Sequence, residues 1–449
     1  MDDWYGVRYV SSTFGYVVKT VDVPALDIAA KEVADKWRLI AGRVEWETEK
    51  KSYQIRVPLS NSLPEDYPLT KFTTEKMTST ELPIALVDDE SAQFLEKPPV
   101  TYFRHPTTPS FLHDYASKSS PILSIHVSLM ANCACVGVTV PHGIFDGTGM
   151  GQIIKALNCA LNNIPWTPPS LTGSSIMTDR LKELRESESI PDPSLATIQS
   201  AFSSASIKNA LYVLKHVAWE KCWHGLKGGA IFLGPNVVER IVTCVKTQAA
   251  EEGKGWVSTG DIVVAFLLKA AYLEEEHWTA HNPLTIAHLI SLRRVLADTN
   301  PELEDYSHNA VLTSALPPLT AQQISSMSLY DLALMYRKSI DSTRKISFIQ
   351  GYVKWLASIG GQILPPKGDI WLFSNQIVTG VDKLDLGSET LAFWHWTLPF
   401  TLAPDHTFIL NKFKGGYIID PVIGIRLSRW KAMQKVLESL QEGKSLVVV

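Results

Sequence analysis

One histidine and one aspartate have the spacing and setting of a proton-transfer site. His142 is followed four residues later by Asp146, within the sequence PHGIFDGTGMG. A neutral imidazole, with a pKa near ~6.5, accepts a proton at working pH and raises rates by roughly 10² to 10⁴ when it contacts the group that it activates. Asp146 can support such a base by a hydrogen bond to the ring, or by fixing the loop through a salt bridge elsewhere. The spacing alone leaves both alternatives open.

The element that must position this histidine is a buried strand. Residues 122–130 alternate apolar and polar side chains, and residues 135–140 are almost wholly apolar. This pattern predicts a hairpin whose second strand ends just before the histidine. After the Gly-rich bend, residues 150–161 have apolar positions at helical spacing. Further along, Ser258 with Asp261 three residues later predicts the capped start of a buried helix.

Composition excludes several classes of protein. The chain has 449 residues, of which 45% are hydrophobic and 20% charged, as expected of a globular protein with a substantial core. Its formal net charge of −4 lacks the basic excess of a nucleic-acid surface. No segment has the ~18 to 20 successive apolar residues of a bilayer span, and the start does not resemble a signal peptide. We therefore predict a soluble cytoplasmic protein with no nucleic-acid or membrane partner.

A change of composition divides the chain. Residues 164–204 are dense in Pro, Ser, Thr and charged residues, which predicts an exposed crossover. The predicted organisation is a first lobe over 1–180, carrying the histidine motif and completed by a segment near 370–390. A linker over 181–210 and a second lobe over 211–449 follow.

Five segments, in order along the chain, resemble those of BAHD-type acyltransferases. The segment PILSIHVSLMANCACVGVTVPHGIFDGTGM closely resembles the one that carries the family's H-x-x-x-D-G motif. The others are DKWRLIAGRVEW, WVSTGDIVVAF, ISLRRVL followed by YSHNAV, and FSNQIVTGVDKLDLGSE. In the last, Leu386 and Ser388 replace the Phe and Trp of the family's D-F-G-W-G signature. These departures resemble the divergent fungal members that modify secondary metabolites.

The resemblance implies an α/β fold of the chloramphenicol-acetyltransferase type, with two lobes and a channel between them. His142 would lie midway along the channel and act as the general base, without an acyl-enzyme. Acyl-CoA would be the cosubstrate, and the acceptor a hydroxyl of a small molecule such as a terpenoid or polyketide. No permanently bound cofactor and no metal are implied, and we expect a monomer.

The resemblance and the residues themselves predict roles for particular positions. The resemblance implies that Asp146 pairs with Arg293 and stabilises the loop, whereas the D-L-G sequence by itself predicts that Asp385 is a structural turn residue. Residues expected to contact substrate are Gly147, which leaves room beside the histidine, Ser374 or Asn375, which would donate to the oxyanion, and Trp394 and Trp396, which would line the acceptor side of the channel.

Two other functions are compatible with the same fold. One is a condensation or ester-forming enzyme whose acyl group arrives on a carrier protein. The other is a cyclase or binding protein that uses the channel as a container without acyl transfer. A hydrolase is disfavoured, because the sequence has no G-x-S-x-G segment to supply a nucleophile.

Overall fold

A computed structural model describes most of the chain. The described residues are 10–49, 52–59, 63–64, 66–85, 87–171, 173–188, 190–204, 206–253, 255–273, 281–298, 300–364, 369–398 and 406–443.

Strands of two main sheets and three short pairs make up the β structure of these ranges. They are β1 (Ser11–Val18), β2 (Arg43–Glu47), β3 (Ser52–Arg56), β4 (Lys71–Met77), β5 (Ala92–Leu95), β6 (Ser124–Met130), β7 (Ala134–Pro141), β8 (Ser203–Ser204), β9 (Leu226–Lys227), β10 (Ala230–Leu233), β11 (Pro283–Ser291), β12 (Val311–Ala315), β13 (Leu319–Thr320), β14 (Ile363–Leu364), β15 (Ile370–Asn375), β16 (Thr390–Leu398), β17 (His406–Phe413), β18 (Gly416–Pro421) and β19 (Ile425–Arg426).

The α-helices flank these sheets. They are α1 (Val23–Lys36), α2 (Leu112–Ser117), α3 (Gly147–Leu161), α4 (Gly173–Glu186), α5 (Ser194–Ala201), α6 (Ile207–Trp219), α7 (Pro235–Glu252), α8 (Thr259–Tyr272), α9 (Leu292–Ala297), α10 (Ala321–Ser326), α11 (Leu329–Thr343), α12 (Ile346–Ser358) and α13 (Leu427–Gln441). None of the helices in the described ranges combines the length and the hydropathy needed to cross a bilayer.

The first sheet contains the predicted hairpin. Its strand order is β16-β1-β7-β6-β4, and β6 and β7 pair antiparallel as the alternating and apolar runs predict. Helices α1 and α3 pack against each other and share one core cluster with apolar residues of β7, such as Val136 and Val138. Burial of both sheet and helix faces in this cluster is the main source of its stability. The sheet and these two helices are called the first lobe below.

The second sheet is larger and mixed. Its strand order is β12-β11-β15-β17-β18-β10-β5, with β15 parallel to both neighbours. Helix α8 begins at the predicted capping box, in which the Ser258 side chain accepts from the Asp261 N–H and the Asp261 carboxylate accepts from the Ser258 N–H. All but its first residue are buried, and its apolar residues from Ile262 to Tyr272 belong to the second core cluster. This sheet and its helices are called the second lobe.

The chain crosses between the lobes more often than the sequence predicts. Strand β16, at the far end of the predicted segment near 370–390, joins β1 in the first sheet, whereas β15 belongs to the second. Strand β5, from the first third of the chain, pairs with β10 in the second sheet. Strand pairing is long-range, so the local pattern of these segments does not reveal which sheet receives them.

The predicted crossover differs from an extended linker. Residues 181–210 contain the end of α4, all of α5 and β8, and the start of α6. Met177, Leu184 and Ile198 are buried in a third core cluster with residues of α12. A few apolar residues at helical spacing are sufficient to dock these helices, although the composition of the segment is polar.

Candidate active site

His142 lies directly after β7, where the chain turns toward α3. The backbone N–H of His142 donates to the Val10 carbonyl. The backbone carbonyl of His142 accepts from the Asn309 side-chain amide at 2.8 Å. The loop is thus fixed on one side by the strand region of the first lobe and on the other by the segment before β12. His142 is partly exposed to solvent, but its Nδ1 is buried. Within the described part of the chain, no side chain forms a hydrogen bond with this nitrogen.

Asp146 is the N-cap of α3 and forms the predicted salt bridge with Arg293. The two side chains form a bidentate pair at 2.8 and 2.9 Å, and both are almost completely buried. The carboxylate also accepts from the backbone N–H groups of Thr148, Gly149 and Ala310. All five donors are groups other than the His142 ring. Of the two alternatives left open by the sequence, the structure therefore shows the salt bridge, and Asp146 is a positioning residue.

Arg293 extends this pair into a network. Its Nε donates to the Tyr306 carbonyl at 2.6 Å, and its Nη2 donates to the His308 carbonyl at 2.7 Å. A buried guanidinium is stable only when its charge is paired and its donors are satisfied, and both conditions hold here. The network fixes the loop 306–309 beside the His142 loop.

Burial acts in opposite directions on the two residues of the motif. Burial lowers the pKa of His142, and its own backbone and the Asp146 charge only partly oppose that shift. Burial by itself raises the pKa of Asp146, but the Arg293 charge and the hydrogen bonds outweigh it, so the pKa lies below its usual value. At neutral pH the site therefore holds a neutral imidazole and an ionised, fully engaged carboxylate.

The glycines of the bend are explained by close helix packing. A Cβ at Gly149 would lie 2.0 Å from the Ser307 carbonyl oxygen, and one at Gly151 would lie 1.9 Å from that of Thr379. A Cβ at Gly147 would lie 3.1 Å from the Gln376 side-chain amide. The space beside Gly147, which the sequence assigns to substrate, is therefore occupied by the Gln376 side chain. The absence of side chains lets α3 approach the second lobe.

The two predicted oxyanion donors lie on opposite faces of β15. Ser374 pairs with Ile409, which pairs with Asp420, so these side chains share one face of the second sheet. Asn375 is on the other face, where its side-chain amide would lie 2.7 Å from a Cβ at Gly260 in α8 and its Oδ1 accepts from the Ile377 N–H. Strand alternation therefore separates Asn375 from Ser374 and places the Asn375 amide against α8.

Gln376 is a residue that sequence reasoning missed. It is buried, its side-chain amide lies beside Gly147, and its Oε1 has no hydrogen-bond partner within the described residues. Its position directly after Ser374 and Asn375, the two predicted oxyanion donors, was the available signal. A buried amide with an unpaired oxygen can receive a donor from a bound ligand.

Strand alternation also revises the prediction for Trp394 and Trp396. Both tryptophans share the face of the first sheet that carries Gly15, where Trp396 packs against Phe103 with ring centroids 4.8 Å apart. His395, between them, lies on the opposite face and stacks on Phe14 at 4.4 Å. The two tryptophans therefore belong to the packing of the sheet, and His395 is the side chain of this trio directed toward the His142 side.

His395 belongs to a buried polar cluster. The backbone carbonyl of His395 accepts from the Lys97 ammonium at 2.6 Å. Its backbone N–H donates to the Asp420 carboxylate at 3.4 Å. Lys97 and Asp420 form a buried ion pair at 2.6 Å. Burial, followed by the charge of Lys97 and the electrostatic interaction with the His142 ring, holds the pKa of His395 well below its usual range. The ring is neutral, and both of its nitrogens lack partners within the described residues.

Asp385 forms the turn that the sequence predicts. Its carboxylate accepts from the Gly387 N–H at 2.9 Å, and Gly387 has the positive φ of 76° that favours glycine. Its own N–H donates to the Asn158 side chain in α3. The residue is exposed and structural.

A cavity lies beside the His142 loop. It measures about 580 Å³ and is lined by Gly143, Ile144, His308 and Asn309 together with apolar residues of β2, β3 and α2. A second cavity of about 590 Å³ shares Tyr306 and His308 with the first. His308 thus lies between two spaces of the size that small ligands occupy.

The buried histidines should make the free energy of unfolding sensitive to acid. Burial lowers the pKa of several histidines: His126, His142, His288, His308, His395 and His406. The pKa falls to about 3 for His288 and to about 4 for His308. Below about pH 6.5 the unfolded chain binds protons that the folded chain does not, so stability falls as the pH falls toward each folded-state pKa. His288→Gln should reduce the slope of unfolding free energy against pH by up to about 1.4 kcal/mol per pH unit.

Urea unfolding between about pH 7 and about pH 5 measures this slope. The matched control is His113→Gln, because His113 is exposed. Equal slopes for wild type and His288→Gln would contradict the assignment of His288 as a buried neutral group.

Comparison with curated proteins finds fungal relatives. The chain is 25% identical over 304 residues to "Transcriptional regulator calD" of Penicillium decumbens, covering 65% of this chain and 55% of the relative. It is 21% identical to the O-acetyltransferase PaAT-2 of Phomopsis amygdali, covering 68% and 64%. It is 23% identical to the acetyltransferase BOT5 of Botryotinia fuckeliana, covering 90% and 82%. The chain thus spans 55% and 64% of the first two relatives. No protein-family model matches the sequence.

Solved structures share the fold over nearly the entire chain. TRI101 of F. sporotrichioides, complexed with coenzyme A and T-2, superposes with a TM-score of 0.64 at 14% identity, covering 95% of this chain and 94% of that one. Vinorine synthase superposes with a TM-score of 0.60 at 14% identity, covering 96% and 90%. The expected α/β fold of the chloramphenicol-acetyltransferase type is confirmed. The fungal relatives that are named acetyltransferases and the shared fold agree with the resemblance of the sequence to BAHD-type acyltransferases.

Proposed function

We propose that this chain transfers an acyl group, such as acetyl, from coenzyme A to a hydroxyl of a small secondary metabolite. The observation that carries the proposal is the division of roles within the H-x-x-x-D loop. Asp146 is engaged by Arg293, and His142 is a neutral imidazole at the end of a buried strand. Relatives named O-acetyltransferases and the coenzyme A complex of TRI101 support the choice of donor.

In the proposed reaction His142 acts as general base and then as general acid. The imidazole takes the proton of the acceptor hydroxyl as that oxygen attacks the thioester carbonyl. The tetrahedral intermediate collapses, the carbon–sulfur bond breaks, and the imidazolium returns its proton to the departing thiolate. The products are an ester and free coenzyme A, and no acyl-enzyme forms.

The oxyanion of that intermediate needs hydrogen-bond donors. We assign this role to the Ser374 hydroxyl, which lies on the same face of the second sheet as Asp420, with the Gln376 amide as a second donor beside Gly147. One such donor is worth roughly 3 to 4 kcal/mol of transition-state stabilisation in other enzymes.

The cavity beside the His142 loop is the proposed acceptor site. Its lining includes the apolar side chains of Leu39, Val44, Tyr53 and Ile55. Such walls favour a terpenoid or polyketide carrying few charges. The relative named a transcriptional regulator does not change this proposal, because the net charge of −4 lacks the overall basic excess that is typical of nucleic-acid-binding proteins.

The test measures thiol release from acetyl-CoA in the presence of a panel of terpenoid and polyketide alcohols. We expect release only with an acceptor, in step with formation of an acetyl ester detected by mass. Release without any acceptor would indicate hydrolysis. Activity only with an acyl-loaded carrier protein would favour the condensation enzyme, and ligand binding without release with any donor would favour the container function.

A further inference from the structure

Helix α6 exposes an apolar face. Ile207, Leu211 and Leu214 are 81%, 61% and 46% exposed, and their spacing of four and three residues places them on one side of the helix. Val213, which is buried, contributes to the opposite side. The apolar positions of an ordinary surface helix face the core, so this orientation is the reverse of the usual one.

Two exposed tryptophans lie at the C-terminal end of α6, on the side of the helix next to this stripe. Helix α6 continues into a π-helical turn over Glu220–His224, and Trp219 and Trp223 stack there with ring centroids 5.1 Å apart. They are 51% and 73% exposed. Indole rings are enriched at the boundary between lipid and water, where an amphipathic ring contacts both phases. Ile207, Leu211, Leu214, Trp219 and Trp223 are together called the α6 face.

Lysines of α6 lie next to the aliphatic residues of the α6 face, on the same side of the helix as Trp219. Lys208 and Lys215 are exposed and lie seven residues apart, hence on one stripe of the helix beside the apolar one. Between residues 206 and 228 the sequence has four lysines and one glutamate, although the chain as a whole has a net charge of −4. A basic amphipathic helix with exposed tryptophans matches the charge and polarity of an anionic membrane surface.

We infer that the α6 face binds peripherally to membranes that contain anionic lipids. The apolar residues and tryptophans enter the boundary between headgroups and acyl chains, and the lysines contact the headgroups. A second copy of this chain fits the surface less well, because two lysine-flanked faces would repel each other. The inference departs from the expectation of no membrane partner and is independent of the proposed acyl transfer.

Sedimentation of the full chain with vesicles tests the inference. We expect binding to phosphatidylcholine vesicles that contain about one third phosphatidylserine, and loss of binding in about 0.5 M salt. Lys208→Gln and Lys215→Gln should each weaken binding about fivefold. Trp219→Ala with Trp223→Ala should weaken it at least about tenfold, with no change in the thermal unfolding midpoint.

Matched controls lie elsewhere on the surface. Trp46→Ala removes a tryptophan that is 50% exposed on β2, and Lys431→Gln removes an exposed lysine on α13. Both variants should bind the vesicles as wild type does. Absence of wild-type binding, or equal loss in the control variants, would overturn the inference. So would a dimer in light scattering that the tryptophan variants dissociate, since it would assign the face to a second copy.

Discussion

Replacing His142 with alanine should lower kcat for acyl transfer by roughly 10² to 10⁴. The variant removes the group that takes the hydroxyl proton, while the Asp146–Arg293 pair that orders the loop stays intact. Its unfolding midpoint should remain close to that of the wild type, because the buried Nδ1 of His142 has no side-chain partner to lose within the described residues. Activity and stability should therefore separate in this variant.

The measurement is kcat at saturating acetyl-CoA, with thermal unfolding alongside. His113→Ala is the matched control, because it removes an exposed histidine on α2. In the wild type, kcat/KM should be level near neutral pH and fall on acidification, since burial places the pKa of His142 below its usual value. Full turnover by His142→Ala would end the general-base assignment.

Replacing Asp146 with asparagine should cost about 3 to 5 kcal/mol of unfolding free energy. Asparagine is also a good N-cap, so the start of α3 keeps its preferred residue type. What the substitution removes is the charge that compensates the buried Arg293 guanidinium, which is 3% exposed. We expect kcat to fall as well, because the network that fixes the 306–309 loop beside His142 loosens.

Urea unfolding measures this loss, and Asp385→Asn is the control. It makes the same chemical change at an exposed turn carboxylate and should alter stability by no more than about 0.5 kcal/mol. Pairing Asp146→Asn with Arg293→Met should recover part of the stability, because the uncompensated charge is then gone. Equal effects of Asp146→Asn and Asp385→Asn would disprove the energetic role of the ion pair.

Sequence patterns predict the features that depend on neighbouring residues, and they fail for features that depend on residues far apart in the chain. The capping box at Ser258 and the turn at Asp385 depend on neighbours within three residues, and both are observed. Helix α1 shows a partial success of sequence patterns. The apolar spacing of Ile28, Val33, Trp37 and Ile40 predicts a helix that stops at Gly42. The helix ends instead at Lys36, and Ile28 is 66% exposed. Its buried face is formed instead by smaller residues such as Ala29 and Ala30.

The site shows the same division. The sequence placed His142 at the end of a buried strand and, through the family resemblance, paired Asp146 with Arg293, which lies 147 residues away. It assigned Trp394, Trp396 and Asn375 to the substrate site, whereas the sheets place the two tryptophans on the face opposite to His395 and Asn375 on the face opposite to Ser374. The sequence shows which side chains of a strand share a face, because successive side chains alternate between the two faces. It does not show which face borders the site, because that depends on what packs against each side.

The sequence by itself determined the chemistry available to this protein: a histidine base, its loop and the strand that presents it. Only the tertiary structure decided which side chains surround that base, bringing His395 and Gln376 toward it and leaving the α6 face exposed. The physical reason is that propensity and periodicity act over a few residues. Burial and ion pairing join segments hundreds of residues apart, and they are settled only when the lobes pack together.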